Sequence, residues 1–169
     1  SKVKRGLVES EYNLRRQQCE AAASIMGVDS LREADLSLLA EYKNKMTDIE
    51  YRRAHHVITE NTRTEQAAIA LSENNIPLLS RLMAESHQSM RDDFAITIKP
   101  IDLLVDIVSN IIGDTGGVRM TGGGFGGCVV SLLPHHLVDT VTQAISVQYT
   151  AHTQRIANTY ICNAGNGAG

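Results

Sequence analysis

Seven of the thirteen glycines, Gly116, Gly117, Gly122, Gly123, Gly124, Gly126 and Gly127, fall within twelve residues of a 169-residue chain. A glycine in an ordered element costs roughly 0.5 to 1 kcal/mol relative to alanine, so such crowding implies a steric or functional need. One need is a backbone that approaches a phosphate or a sugar and points several N–H groups at it. The other is a tight β connection whose glycines relieve backbone strain. Arg119 and Thr121 stand beside the run Gly122-Gly123-Gly124-Phe125-Gly126-Gly127. A guanidinium gives charge-assisted donors to phosphate oxygens and a threonine hydroxyl adds a neutral one. No Gly-Lys-Ser or Gly-Lys-Thr follows, which excludes a Walker loop, and a strand rather than a helix comes next, which excludes the dinucleotide fingerprint. The residues alone leave both needs open.

What flanks the run defines the fold class. Val118 to Thr121 and Gly127 to Leu133 read as short strands. Upstream the period is helical. A first helix is expected from Ser10 as N-cap to Gly27, with Leu14, Ala21, Ala22 and Ile25 on one face if Gln18 is tolerated among them. A short amphipathic segment spans Leu36 to Tyr42, and a long polar-rich one Thr47 to Asn74, with Ala54, Val57, Ile58, Ala68 and Leu71 at helical spacing. Pro77 and Pro100 each suit the first turn of a helix. The first should stop near Asp92. The second is strongly apolar, turns Ile101, Leu104, Val105, Val108, Ile111 and Ile112 inward, and ends at Gly113. Pro134 opens a last helix, and Arg155 to Cys162 reads as a final strand. Strands joined by a short loop pair antiparallel. The expected architecture is therefore α+β in two layers, an antiparallel sheet covered by several helices. It is one domain over residues 1–162, and the glycine-rich tail 163–169 is expected to be disordered.

Composition narrows the function classes. Sixteen basic and nineteen acidic residues give a net charge of -3, against a dedicated nucleic-acid or acidic-membrane binder. No apolar run approaches the roughly 18 residues of a membrane span. Cys19, Cys128 and Cys162 have neither disulfide-framework nor zinc spacing, which fits a reducing cytoplasm. The chain opens Ser1-Lys2-Val3-Lys4-Arg5 without an initiator Met, and is read as a piece of a longer protein.

The segment Gly117-Val118-Arg119-Met120-Thr121-Gly122-Gly123-Gly124-Phe125-Gly126-Gly127-Cys128 resembles the third signature of the GHMP sugar kinases in the form galactokinases use. Ser10-Glu11-Tyr12-Asn13, Arg15 to Glu20 and Glu85 to Phe94 resemble galactokinase segments in the same order. The resemblance runs from Lys2 to the tail and covers the C-terminal half of such an enzyme. It implies a GHMP kinase C-terminal domain of ferredoxin-like type, and transfer of the γ-phosphoryl of ATP to galactose with Mg²⁺. It implies that Tyr12 contacts the sugar and that the phosphate or active-site loop comprises Arg119, Thr121, Gly122, Gly123, Gly124, Phe125, Gly126 and Gly127. The catalytic base, the main ATP loop and the magnesium ligands belong to the N-terminal half of the family's proteins. On that reading the partners are galactose, ATP and that half, no catalytic residue lies here, and the isolated chain should be inactive. A galactose sensor without turnover, or a kinase of the superfamily for another sugar, are the alternatives.

The remaining candidates have plainer readings. His55-His56 and His135-His136 are adjacent pairs, and neighbours on a helix point about 100° apart, so these and His152 read as solvated surface rather than metal ligands. His87 reads as a hydrogen-bonded partner holding its helix against the sheet. Asp92 and Asp93 oppose the dipole at a helix C-terminus and need compensation, by Arg91 or by a turn. Glu11 and Glu20 are placed to pair with Arg15 and Arg16. Cys128 opens a strand and is expected to be packed. Without its other half, the domain should expose an apolar patch or an unpaired strand edge.

Overall fold

A computed structural model describes residues 8–163 and 165. Five helices precede a two-stranded hairpin: α1 (Val8–Met26), α2 (Leu36–Tyr42), α3 (Asp48–Ser72), α4 (Ile76–Asp92) and α5 (Lys99–Ile112), then β1 (Gly117–Thr121) and β2 (Cys128–Leu132). After a 3-10 turn at His135–Leu137 come α6 (Val138–Ala144), a π-helical stretch Ile145–Tyr149, and α7 (Thr150–Thr153). The expectation for the tail falls mostly outside the described residues.

Local chemistry sets the ends. Thr47 and Glu50 form a reciprocal capping box at the start of α3, satisfying two amide groups that the first turn leaves unpaired. Asn75 and Asp35 accept from the amides of Leu78 and Leu38, and the prolines of α4 and α5 sit in their first turns. Gly27, at φ 72°, ends α1 in the conformation expected of it. Helical backbone already covers Val8 to Ser10, so Ser10 lies inside α1 rather than capping it. Val8 and Glu9 offer no break that would start the helix later.

The hairpin is antiparallel, pairing Gly117 with Leu132 through to Thr121 with Cys128. Val118, Met120 and Val129 turn to α5, where they pack against Val105, Val108 and Ile101. Tyr149, fully buried, joins Leu104 and Ile107 and fixes the last helical segment to the outer side of α5. A second core lies between α1, α2 and α3 around Ala22, Ala23, Met26, Leu39, Ala54 and Ile58. Helix α4 links the two, lying against both α3 and β1. The α+β, two-layer expectation holds, with a sheet of two strands.

Three expectations need correction. Residues 155–162 form no strand: from Ala157 onward they line, together with β2, a cavity of about 360 Å³, without a hydrogen-bond ladder. A β-branched composition supplies propensity, but a strand exists only through a partner in register. The buried stripe of α1 is Arg15, Ala22, Ala23 and Met26, and Leu14 is exposed. In α3, Ala68 and Leu71 are exposed, and the buried residue of the last turns is Ala70 instead.

Candidate functional site

The connection between β1 and β2 divides into an open half and a sealed half. Thr121, Gly122 and Gly123 are exposed, and a Cβ built at Gly123 would meet nothing within 4 Å. Gly124 and Gly126 are buried. At Gly124, φ is +81° and a Cβ would stand 2.6 Å from the Ile96 carbonyl oxygen and 2.7 Å from Ile96 Cβ. Phe125 follows at φ 55°, in the left-handed region that bulky residues avoid, and donates its amide to Ile96 O at 2.7 Å. Ala95, beside the acceptor, is also left-handed at φ 52°. Such outliers persist only where the surroundings over-determine them.

The surroundings here are arginines. Five successive carbonyls at the C-terminal end of α4, from Asp92 to Ile96, accept hydrogen bonds from outside their own segment. Asp92 O accepts from Arg52 at 3.3 Å and Asp93 O from Arg53. Phe94 O and Ala95 O accept from Nε and Nη2 of Arg15 at 2.8 and 3.0 Å, and Ile96 O from Phe125. A helix C-terminus leaves its last carbonyls unpaired and carries partial negative charge, so cations suit it. Arg15 also lies over the Phe125 ring, 5.6 Å from the centroid, and pairs with Glu11 at 3.3 Å. The arginine–glutamate pairs expected on α1 are thus present, the second between Arg16 and Glu20 at 2.7 Å. Arg53 donates through Nε to Gln18 Oε1, which explains the glutamine in the α1 stripe.

Tyr12 lies one turn before Arg15 on α1 and is 60 % exposed. Arg119 is directed away from the glycines: it donates to Ser86 Oγ at 2.7 Å and stands 3.5 Å from Glu60 Oε2. Burial disfavours the Glu60 carboxylate, but hydrogen bonds from Arg63 and Ser86 and the Arg63 charge outweigh it, and its pKa falls below the usual range. The structure therefore joins Tyr12's helix to the sealed half of the loop through Arg15, and places Arg119 in a separate polar cluster between α3, α4 and β1.

His56 is not solvated surface. It is buried, stacks on Phe94 at 4.4 Å, and its Nδ1 lies 2.9 Å from Ser89 Oγ. Ser89 donates to Asp93 Oδ2, so His56 Nδ1–H is the donor to Ser89. Burial drives the His56 pKa down to about 4, against the opposing charge of Glu60. His55 meets Asp93 Oδ2 at 3.0 Å, while His135, His136 and His152 are exposed as expected. The acidic residues at the end of α4 are compensated as anticipated, Asp92 by Arg91 at 2.8 Å and Asp93 by Ser89 and His55.

His87 holds α4 to β1, its Nδ1 accepting from the Met120 amide at 3.3 Å. Its other nitrogen faces Asp102 Oδ1 at 3.3 Å, too poorly aligned for a full hydrogen bond. Burial, more than any charge, lowers its pKa. Cys128 is exposed rather than packed, because the pleat turns it with Val130 and Leu132 to the face that α5 leaves uncovered. That face is the exposed apolar surface anticipated from the sequence.

The contribution of Arg15, Arg53 and His56 went unread in the sequence. A signal existed for the first: Arg15, Cys19, Ala22, Ala23 and Met26 keep the spacing of one helical face. Among the described residues no group of three or more His, Cys, Asp or Glu is placed to hold a metal ion, and no helix is long and apolar enough to cross a membrane.

Residues 67–150 match the family model described as GHMP kinases C terminal. The fold superposes on the crystal structure of Lactococcus lactis galactokinase complexed with galactose with a TM-score of 0.90 and 29% sequence identity, over 98% of this chain. The chain spans 44% of that protein's length. Residues 67–150 are thus similar to the C-terminal domain of the GHMP kinases, and the fold of the chain is similar to that of galactokinase.

Proposed function

We propose that the chain is the C-terminal part of a galactokinase, which transfers the γ-phosphoryl of ATP to the anomeric hydroxyl of galactose. The observation that carries this reading is the open half of the β1–β2 connection. Thr121, Gly122 and Gly123 are exposed, and a Cβ built at Gly123 would meet nothing within 4 Å, so a ligand has room to approach the hydroxyl and the loop's main-chain amides. Amide clusters of this kind suit phosphate oxygens, and phosphoryl transfer depends on placing and neutralising them. The exposed Tyr12 phenol offers a donor and acceptor to a sugar hydroxyl. The likeness to a galactokinase that binds galactose supports the choice of sugar.

In this division of labour the chain supplies part of the phosphate cradle and one wall of the sugar pocket. Arg119, held by Ser86 and Glu60, braces β1 below the loop and adds positive charge at a distance. Mg²⁺, when bound, offsets the phosphate charges of ATP. The Thr121 hydroxyl and the loop amides suit the phosphates rather than the ion. Its ligands, the catalytic base and most ATP contacts then come from the N-terminal half, the partner of this domain in a cytoplasmic enzyme.

The test is galactose-dependent ADP release by the product of the complete reading frame, alongside the 169-residue chain alone. The full product should turn over and the chain alone should not. A full product that binds galactose without phosphorylating it would favour a sensor, and one that phosphorylates a different sugar would overturn the substrate assignment. Turnover by the isolated chain would overturn the reliance on a second half.

A further inference from the structure

Arg15 is the most heavily engaged charged group near the glycine loop. Its side chain is only 10% exposed, whereas that of its ionic partner Glu11 is 39% exposed. All three guanidinium nitrogens are used, in different directions: Nε on Phe94 O, Nη2 on Ala95 O and Nη1 on Glu11. Its Cζ lies over the Phe125 ring, 5.6 Å from the centroid. One residue further along the acceptor segment, Ile96 O receives the Phe125 amide. A rigid fork can hold two adjacent carbonyls and an aromatic face together; a lysine ammonium cannot.

We propose that Arg15 is a positioning residue that fixes the glycine loop relative to α1, and so fixes the distance between the loop amides and Tyr12. The path is short and continuous. Tyr12 and Arg15 are three residues apart on one rigid helix. Arg15 clamps residues 94 and 95, and the next carbonyl holds the left-handed Phe125, which sets the direction in which Gly122 and Gly123 leave the sheet. The ion pair to Glu11 orients the guanidinium but does not form part of the clamp. The role of this clamp in catalysis rests on the proposed galactokinase reading, whereas the clamp itself does not.

Two measurements separate these levels. Hydrogen exchange of the segment 119–130 in the protein, compared among wild type, Arg15→Lys and Glu11→Gln, reads the clamp. Losing hydrogen bonds from a charged donor should speed exchange of the loop by about tenfold or more in Arg15→Lys, with the α5 amides unchanged, and Glu11→Gln should stay within about twofold of wild type. If the lysine variant does not fold, Arg15→Gln gives the same comparison. Loop protection equal to wild type in Arg15→Lys, or Glu11→Gln loosening the loop as much, overturns the proposal.

The second measurement is steady-state kinetics of the full reading-frame product. Arg15→Lys should lower kcat by about tenfold and raise the KM for galactose, as misplacement of reacting groups does. A loosened loop with unaltered kcat and KM would uphold the clamp and overturn the assignment of the loop to phosphoryl transfer.

Discussion

Gly124→Ala separates a glycine required by packing from one required by a ligand. In the folded protein the new methyl group stands 2.6 Å from the Ile96 carbonyl oxygen, at φ +81°. Holding an L-residue in left-handed backbone costs about 1 to 2 kcal/mol. The clash is with backbone, which does not swing aside, so the loop must shift and weaken the bond from the Phe125 amide to Ile96 O, worth about 1 kcal/mol. Overpacking adds about 1 kcal/mol or more. The smaller conformational entropy of an unfolded alanine returns about 0.4 to 1 kcal/mol. The net expectation is a destabilisation of about 3 kcal/mol, which for a domain of this size lowers Tm by roughly 6 to 12 °C. Urea unfolding measures it directly, with an unchanged m-value showing that the same surface is still exposed. Gly123→Ala is the control: its methyl group meets nothing within 4 Å, and stability should move by no more than about 0.5 kcal/mol. In the full-length product, however, Gly123→Ala should depress turnover by about tenfold or more, because it removes close approach to the transferred phosphate. A Gly124→Ala shift below about 1 kcal/mol, or equal shifts at the two positions, would refute the division of the loop into sealed and open halves.

Stability should also fall with acid through His56. Its pKa is about 4 in the folded protein against 6.5 for the ordinary group. The folded ring is therefore neutral where the unfolded chain already takes up a proton, and stability is lost as pH falls from 6.5 towards 4, by about 3 kcal/mol. Urea midpoints between pH 4 and 7 for wild type and His56→Asn check this; parallel pH dependences would disprove it. Tyr12→Phe in the full-length product should raise the galactose KM severalfold with little effect on the KM for ATP, and an unchanged galactose KM would remove Tyr12 from the site. Burial pushes the Cys19 thiol up to about 11, while Cys128 and Cys162 are exposed. Iodoacetamide at pH 8 followed by peptide mass spectrometry should therefore label Cys128 and Cys162 well before Cys19.

The sequence by itself determined the elements from α1 to β2 and their order. Thr47 with Glu50, Pro77, Pro100, Gly27 and Gly113 act within a few positions of themselves, and the apolar stripe of α5 names its buried face without reference to any partner. The glycine crowding marked the loop, and the segment 117–128 that contains it carried the resemblance to the GHMP kinases. Tertiary structure alone decided which glycines face solvent and which are sealed: Gly124 is left-handed with Ile96 opposite it, whereas nothing stands within 4 Å of a Cβ built at Gly123. It also decided that Arg15 and His56 are interior and that residues 155–162 are not a strand. A charged or polar side chain goes inside only when its hydrogen-bonding capacity is met there. The groups that meet it lie 79 and 80 positions away for Arg15 and 33 for His56, far beyond the reach of local periodicity.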